Sequence, residues 1–474
     1  MILKNINHDF GYHTQKIVTM FFPLEKIRGE GDDPITVETA VDNRIITVNV
    51  NIFSSKTSGS EPVCENDDVC NRLSLLLFDT LVKATGFKPP WGILYGVRPA
   101  RLMHATVESV GEEAARQKFL NDRVQPQKVD LAVEVMHHEN EIIKLSRDSS
   151  FSLYVSIPFC PSRCSYCSFV SHSIQNATDL IEPYVNLLCD ELKSIAKIAG
   201  DLGLRLETIY FGGGTPTTLS DTQLDKILCT VEQNFDLSTL REYTVEAGRP
   251  DTVTKAKLDT LFRHNVGRIS INPQSFSDSV LEKIGRRHTS KQTVDAYYLA
   301  RECGFKNINM DFIAGLNGDN LDTFKQSIDK AVDLGAESIT VHNLALKSAA
   351  FLVTENEYYD LSQKALAYDM VNYSYKALKG AGYYPYYMYR QSKSLGNLEN
   401  VGWCKNGLDC LYNVFMMDET HTVLSAGAGA VTKLKNPQTG HIDRIYNYKY
   451  PYEYINNFSQ VLEKKQGILD FYSK

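Results

Sequence analysis

The chain has 474 residues, 50 lysines and arginines against 57 aspartates and glutamates, a formal charge of −7, and 43% hydrophobic residues. That length and balance suit a globular protein of two or three domains, and the acidic excess argues against a nucleic-acid binder. No apolar stretch approaches the roughly 18 residues that span a bilayer. The opening MILKNINHDFGYHTQK lacks the unbroken apolar run of a signal peptide, so a cytoplasmic protein is expected, its ten cysteines reduced or metal-bound.

Residues 1–148 mix β-like segments such as RIITVNVNIF with helical ones such as DVCNRLSLLLFDTLVKAT and EEAARQKFLNDR, which predicts an N-terminal α+β domain. KPPWGILYGVRPARL reads as an ordered turn carrying Arg98 and Arg101, and a linker is expected near Ser146–Ser150. From residue 149 to 382 a repeat sets in. Apolar, β-branched runs at 151–157, 207–211, 242–247, 268–272, 307–313 and 337–344 read as buried parallel strands. Between them lie helical stretches at 179–199, 221–234, 252–264, 291–303 and 321–334. Asp179 and Asp221 stand where N-caps belong, and Gly200 and Gly304 where C-caps belong. Six strand–helix units predict an α/β fold, a partial (βα)6 barrel of the TIM type. After Tyr383 the composition turns Tyr-rich and then Gly-rich, so residues 383–474 are expected to form a C-terminal extension covering one face of the barrel.

The first strand leads into PFCPSRCSYCSF, with Cys160, Cys164 and Cys167 inside eight residues. Structural zinc wants four ligands, commonly as two close pairs, and no second pair follows. A redox disulfide needs no third thiol. Three thiolates on one loop suit three irons of a 4Fe–4S cube and leave the fourth iron open to a ligand. Cys64/Cys70 and Cys404/Cys410 share a wider spacing and are weaker metal candidates.

Other unusual residues also lie at strand ends, where such folds carry their active sites. GGGTPT (212–217) follows the second strand, Glu246 ends the third, and Gln274 follows the fourth. Asp311 lies in the fifth and His342 in the sixth. Glycines let the backbone approach a ligand closely, and a buried carboxylate such as Glu246 calls for a positive or hydroxyl-bearing partner.

Together, YVSIPFCPSRCSYCSF, YFGGGTPT, ISINPQSF, IGRRHT and NMDFIAGL resemble the radical S-adenosylmethionine (SAM) superfamily, in its coproporphyrinogen oxidase-like branch, the HemN/HemW/HemZ group. VEAGRPDT, VHNLALK and SAGAGAVTK look most like the HemZ type, oxygen-independent coproporphyrinogen dehydrogenase. The resemblance implies that Cys160, Cys164 and Cys167 hold the cluster and that SAM ligates its fourth iron. It implies SAM contacts from Tyr154, Tyr166, Gly213, Gly214, Thr215, Glu246, Gln274, Arg286, Asp311 and Ala345, with Arg287 as an alternative to Arg286 and Val431 as a weaker match. The implied reaction is oxidative decarboxylation of coproporphyrinogen III to protoporphyrinogen IX by a 5′-deoxyadenosyl radical. Another radical reaction on a tetrapyrrole, or non-catalytic heme binding, are the alternatives. A tetrapyrrole substrate, a low-potential donor of flavodoxin or ferredoxin type, and a monomer are expected. Arg98, Arg101, Arg390 and the aromatic run Tyr383–Tyr389 are candidates for holding such a substrate. No RYTSYPTA-like segment precedes the repeat, and no HNxxYW segment follows it.

Overall fold

The computed structural model describes residues 1–167, 172–173, 177–346 and 361–473. Ser168, Phe169 and Lys347 of the motifs quoted above lie outside them. Strands β1 (Ile2–Ile6), β2 (Ile35–Asp42), β3 (Ile45–Ile52) and β4 (Ser55–Pro62) form one sheet in that order, with β1 and β2 parallel and the others antiparallel. The helix Val69–Thr85 covers it. Asp68 caps its start by accepting from the Asn71 amide, and Gly86 turns left-handed to end it. Val37, Val48, Leu77 and Phe78 belong to a core of residues 1–93.

The second sheet carries β5 (Ser150–Ile157), β8 (Arg205–Gly213), β9 (Glu242–Glu246), β10 (Arg268–Ser270), β11 (Asn307–Ala314) and β12 (Ser338–Asn343). A short parallel pair, β6 (Phe159–Cys160) and β7 (His172–Ser173), sits beside it. The six strands lie side by side and parallel in chain order, as the repeat predicts. The expected helices appear at Thr178–Asp201, Asp221–Asn234, Lys255–Arg263, Ser290–Glu302 and Leu321–Leu334. Three cap expectations shift. Asp179 lies in the first turn of its helix, whose N-cap is Ala177. Ser220, not Asp221, is the N-cap, because its hydroxyl accepts from the Gln223 amide while the Gln223 side chain accepts from the Ser220 amide. Gly200 falls inside its helix, which runs on to Asp201.

Strand alternation gives this sheet two different faces. Ile209, Phe211, Ile339 and Val341 point outward into the helix layer. Tyr210, Glu246, Arg268, Asp311, Thr340 and His342 point inward and meet around one cavity. Strands this far apart can share a cavity only if the sheet curls.

The C-terminal segment divides and lengthens the sheet at both edges. β13 (Tyr384–Arg390) and β14 (Glu399–Cys404) add antiparallel beside β12. β15 (Thr422–Ala426) pairs parallel with β5, followed by β16 (Val431–Lys435) and β17 (Ile442–Tyr446). Unpaired amides and carbonyls along β12 and β5 are the physical reason: an open edge is satisfied by another strand better than by a loop. The hydrophobic interior also divides elsewhere than at residue 148. Trp91, Met103, Phe119 and Met136 pack in the same core as the large sheet, because the helices of residues 99–143 have no sheet of their own to bury against. Trp91 Nε1 donates to Glu399 Oε2 at 2.7 Å, and Lys128 Nζ meets Glu399 Oε1 at 2.5 Å, so this region is tied to β14 by a buried ion pair.

Candidate active site

Cys160, Cys164 and Cys167 line one end of a cavity of about 370 Å3 in the lumen of the curled sheet. Cys160 ends the extension of β5, and Cys164 and Cys167 lie on the loop beyond it. The Cys167 amide donates to the Cys164 carbonyl at 3.1 Å, and the Ser165 amide to the Ile284 carbonyl at 3.0 Å. Arg249 Nη1 lies 3.1 Å from Ser162 Oγ and 3.9 Å from Cys164 Sγ, and its other nitrogens are paired with Asp251. Among the described residues, the one group of ligand atoms that converges within 4.8 Å is Asp225, Cys229 and His264, outside the cavity. Asp225 there already accepts from Arg263, and His264 bridges Asp225 and Glu232. Neither Cys64/Cys70 nor Cys404/Cys410 belongs to such a group; Cys64 is exposed, and Cys404 and Cys410 are buried.

The glycine block lies directly against the cysteine strand. The Gly214 amide donates to the Ile157 carbonyl and the Thr215 amide to the Phe159 carbonyl, both at 2.8 Å. A Cβ on Gly214 would stand 2.5 Å from the Phe159 carbonyl oxygen and 3.0 Å from Cys160 Sγ, so only glycine fits. Gly213 has φ +108°, and Thr215 Oγ1 is 3.5 Å from Cys160 Sγ.

Glu246 accepts from the Tyr210 hydroxyl at 2.6 Å. Burial pushes its carboxyl up to about 7, against that hydrogen bond, and the nearby Asp311 adds to the rise. Asp311 behaves oppositely. Burial works to raise it, but His342, with Nε2 3.7 Å from Asp311 Oδ2, holds it below the ordinary carboxylate range, helped by Asn309 Nδ2 at 2.8 Å. Tyr389 Oη lies 3.3 Å from His342 Nδ1. Two carboxyls on the strands that flank β10 are thus driven toward different protonation states near neutral pH.

Gln274 has φ +66°, a strained setting for a residue with a side chain. It is held there by its amide donating to the Asp311 carbonyl at 2.8 Å. Its side-chain Oε1 is buried without a hydrogen-bond partner among the described residues. Of the two neighbouring arginines, Arg286 is buried and lines the cavity, donating to the Asn272 carbonyl at 2.6 Å and to the Tyr166 hydroxyl at 3.2 Å, whereas Arg287 is exposed. Ala345 lines the cavity beside its bridge to Ser394.

Tyr154 is not among the lining residues; its ring is stacked with Tyr210 and Tyr412. Val431 is also absent from the lining, and its carbonyl accepts from Ser425 Oγ. Arg98 and Arg101 both turn to Glu419, and the buried Arg390 donates to the Leu94 carbonyl and to Asn397. None of these three arginines reaches the cavity, because nearer acceptors hold them. Of the aromatic run, only Tyr387 and Tyr389 do. Sequence reasoning missed Arg268, Tyr210, Asn272 and Asn413, which also line it. The signal for Arg268 was a charge heading an otherwise apolar strand run.

Residues 154–331 match the Radical SAM superfamily. The oxygen-independent coproporphyrinogen-III oxidase-like protein HemZ of Bacillus subtilis (strain 168) is 36% identical over 407 residues, 85% of this chain and 81% of that protein. The heme chaperone HemW of the same organism is 32% identical over 316 residues, 64% of this chain and 77% of that protein. The solved structure of coproporphyrinogen III oxidase HemN from Escherichia coli shares the fold, with a TM-score of 0.53 at 20% identity over 69% of this chain and 72% of that one. The polar lumen, the three-thiol loop and these relatives agree: the chain belongs to the radical SAM superfamily and, within it, to the coproporphyrinogen oxidase-like group of HemN, HemW and HemZ.

Proposed function

We propose that this protein oxidatively decarboxylates propionate side chains of coproporphyrinogen III to vinyl groups, without oxygen, in porphyrin biosynthesis. Membership in the superfamily implies a 4Fe–4S cluster and SAM. The residues fit both. Three thiols line one cavity end, Gly214 has no room for a Cβ beside Cys160, and the Gln274 Oε1 is a buried acceptor awaiting a donor. When bound, the pair supplies a carbon radical able to take a hydrogen atom from an unactivated carbon.

In this reading Cys160, Cys164 and Cys167 hold the cluster and Tyr166 and Arg286 pack its loop. Gly213, Gly214 and Thr215 receive the methionine portion of SAM, and Glu246, Gln274, Asp311 and Ala345 receive the rest. Tyr154 acts from behind Tyr210 and not by contact. The hydrogen atom leaves the propionate carbon next to the ring, the bond to the carboxylate breaks with loss of carbon dioxide, and one further electron passes to a one-electron acceptor. A low-potential flavodoxin- or ferredoxin-type donor, a monomeric state and a cytoplasmic location complete the reading. Among the described residues no helix is long and apolar enough to cross a membrane.

The observation that carries this reading is that Tyr387, Tyr389, Gln391, Asn413 and Met417 line the same cavity as the three cysteines, an aromatic and polar wall suited to a flat ligand. The 32% identity to a heme chaperone favours a second reading, stoichiometric heme delivery. One assay separates them. Anaerobically reconstituted protein is given SAM, a reductant and either coproporphyrinogen III or heme. Vinyl-bearing product rising with 5′-deoxyadenosine supports the decarboxylase. One bound heme per chain with the porphyrinogen untouched supports the chaperone and refutes the decarboxylase.

A further inference from the structure

Arg268, the first residue of β10, is 2% exposed, yet its Nε and Nη2 have no hydrogen-bond partner among the described residues. Glu242 on the adjoining strand does not satisfy it. Its oxygens accept from the Leu411 amide at 2.6 Å, the Thr244 hydroxyl at 3.1 Å and Cys410 Sγ at 3.3 Å. A guanidinium carries five donors in a planar fork, and leaving two of its nitrogens buried without an acceptor is costly even with the Glu242 and Glu246 carboxyls near enough to act on its charge. A ligand carboxylate would supply the missing acceptors.

The position says which part of the ligand. Arg268 lines the same cavity as the three cysteines. Ser270 pairs with Glu246, and Arg268 with Thr244. Arg268 therefore enters the lumen two residues before the level of Glu246, about 7 Å along the strand and away from the cysteine end. Asn413 and Met417, on the helix Leu411–Asp418 that Glu242 anchors, line the cavity with it.

We propose that Arg268 anchors a carboxylate of the substrate at the cavity end remote from the cysteine loop. This rests on the tetrapyrrole reading above and adds how the ring is held. The carboxylate held is one that survives the reaction. A guanidinium on the departing carboxylate would stabilise the reactant ion and oppose loss of carbon dioxide. Paired carboxylate and fork form short, charge-assisted hydrogen bonds of defined geometry, so the anchor also sets which propionate faces the cofactor end.

The test uses anaerobically reconstituted wild type, Arg268→Gln and Arg268→Lys. Substrate-free deoxyadenosine formation reports an intact fold and cofactor site. Fluorescence quenching gives the affinity for coproporphyrin III and for its uncharged tetra-amide. Arg268→Gln is expected to weaken coproporphyrin binding about ten- to a hundredfold and leave the tetra-amide unchanged. Arg268→Lys, which keeps the charge but not the fork, should lose less and carries the test if the glutamine variant does not fold. Coproporphyrin bound by the variants as by wild type, with deoxyadenosine formation intact, overturns the anchor. Equal losses for both porphyrins do so too, since they make Arg268 merely structural. If wild type binds neither porphyrin, the tetrapyrrole reading fails, and glutarate decides the anchor separately. A rise in melting temperature with glutarate in wild type that Arg268→Gln lacks supports it. Equal shifts, none included, overturn it.

Discussion

Gly214→Ala adds one methyl carbon at the tightest contact between the glycine block and the cysteine strand. Its Cβ would stand 2.5 Å from the Phe159 carbonyl oxygen and 3.0 Å from both Cys160 Sγ and the Ile157 carbonyl oxygen, where ordinary contact begins at 3.4 Å. Relief requires a displacement of about 0.9 Å. The atoms in the way are two backbone carbonyls and a thiol fixed at the end of a strand, not a flexible side-chain tip. Both carbonyls accept from this same block, so moving apart also loosens the Gly214 and Thr215 amide bonds. Overpacking and two weakened hydrogen bonds together cost about 2–6 kcal/mol. A displacement of that size also exceeds the roughly 0.5 Å within which a functional constellation must be held. The expected outcome is a folded, less stable protein that takes up much less iron. Iron and acid-labile sulfide per chain, measured after anaerobic reconstitution beside the melting temperature, test it. Gly200→Ala is the control: nothing lies within 4 Å of that Cβ and the residue is helical, so a gain of about 0.5–1 kcal/mol is expected. Gly214→Ala protein with full iron and wild-type SAM cleavage would refute the packing argument.

Glu246 should give SAM binding a pH dependence. With its carboxyl at about 7 against an ordinary 4.5, the free site is protonated in mildly acidic solution. A cationic ligand that favours the carboxylate must then displace a proton, so affinity is expected to fall by about tenfold per pH unit below 7. Glu246→Gln should flatten that profile in calorimetric titrations; a slope that survives the substitution removes Glu246 from the account. The same raised value destabilises the unliganded protein as pH climbs from about 4.5 to 7, because the unfolded carboxyl ionises over that range while the folded one keeps its proton, and the glutamine variant should lose that decline in urea unfolding. Cys164→Ala should abolish both cluster and deoxyadenosine formation, since two thiols cannot hold a cube in this loop; a full, SAM-cleaving cluster in that variant sinks the ligand assignment. Lys128→Ala leaves Glu399 buried without its cation and should cost about 3–5 kcal/mol. Denaturant unfolding measures it, and a loss under about 1 kcal/mol would show that Trp91 alone satisfies the carboxylate.

The six central strands and their helices were legible because each is a local pattern: a β-branched run, a helical period, a glycine or a cap. The site was legible because its parts follow successive strands of one sheet, and the cavity does gather Cys160, Cys164, Cys167, the glycine block, Glu246, Gln274, Arg286, Asp311 and His342. Residues whose role depends on partners far along the chain were not legible. Arg98 and Arg101 looked free to bind a ligand until Glu419 arrived from more than 300 residues away. Nothing in VLSAG announces that β15 pairs with β5, because strand pairing is decided by which edge is open and not by the strand's own sequence. Arg268 was passed over for a related reason: a charge heading a strand ordinarily marks its solvent end, whereas this strand starts inside the protein.

The place of β15 bears on how the protein is made. β5 carries the cysteine loop, and Thr422 to Ala426 pair along it from Phe151 to Val155. As the chain leaves the ribosome, that edge stays open while some 270 further residues are synthesised, exposed to any other strand that meets it. A cluster inserted during that interval would be built on a strand with one neighbour missing. Cluster loading is therefore expected to follow release of the finished chain, and nascent chains stalled before Thr422 should carry no iron.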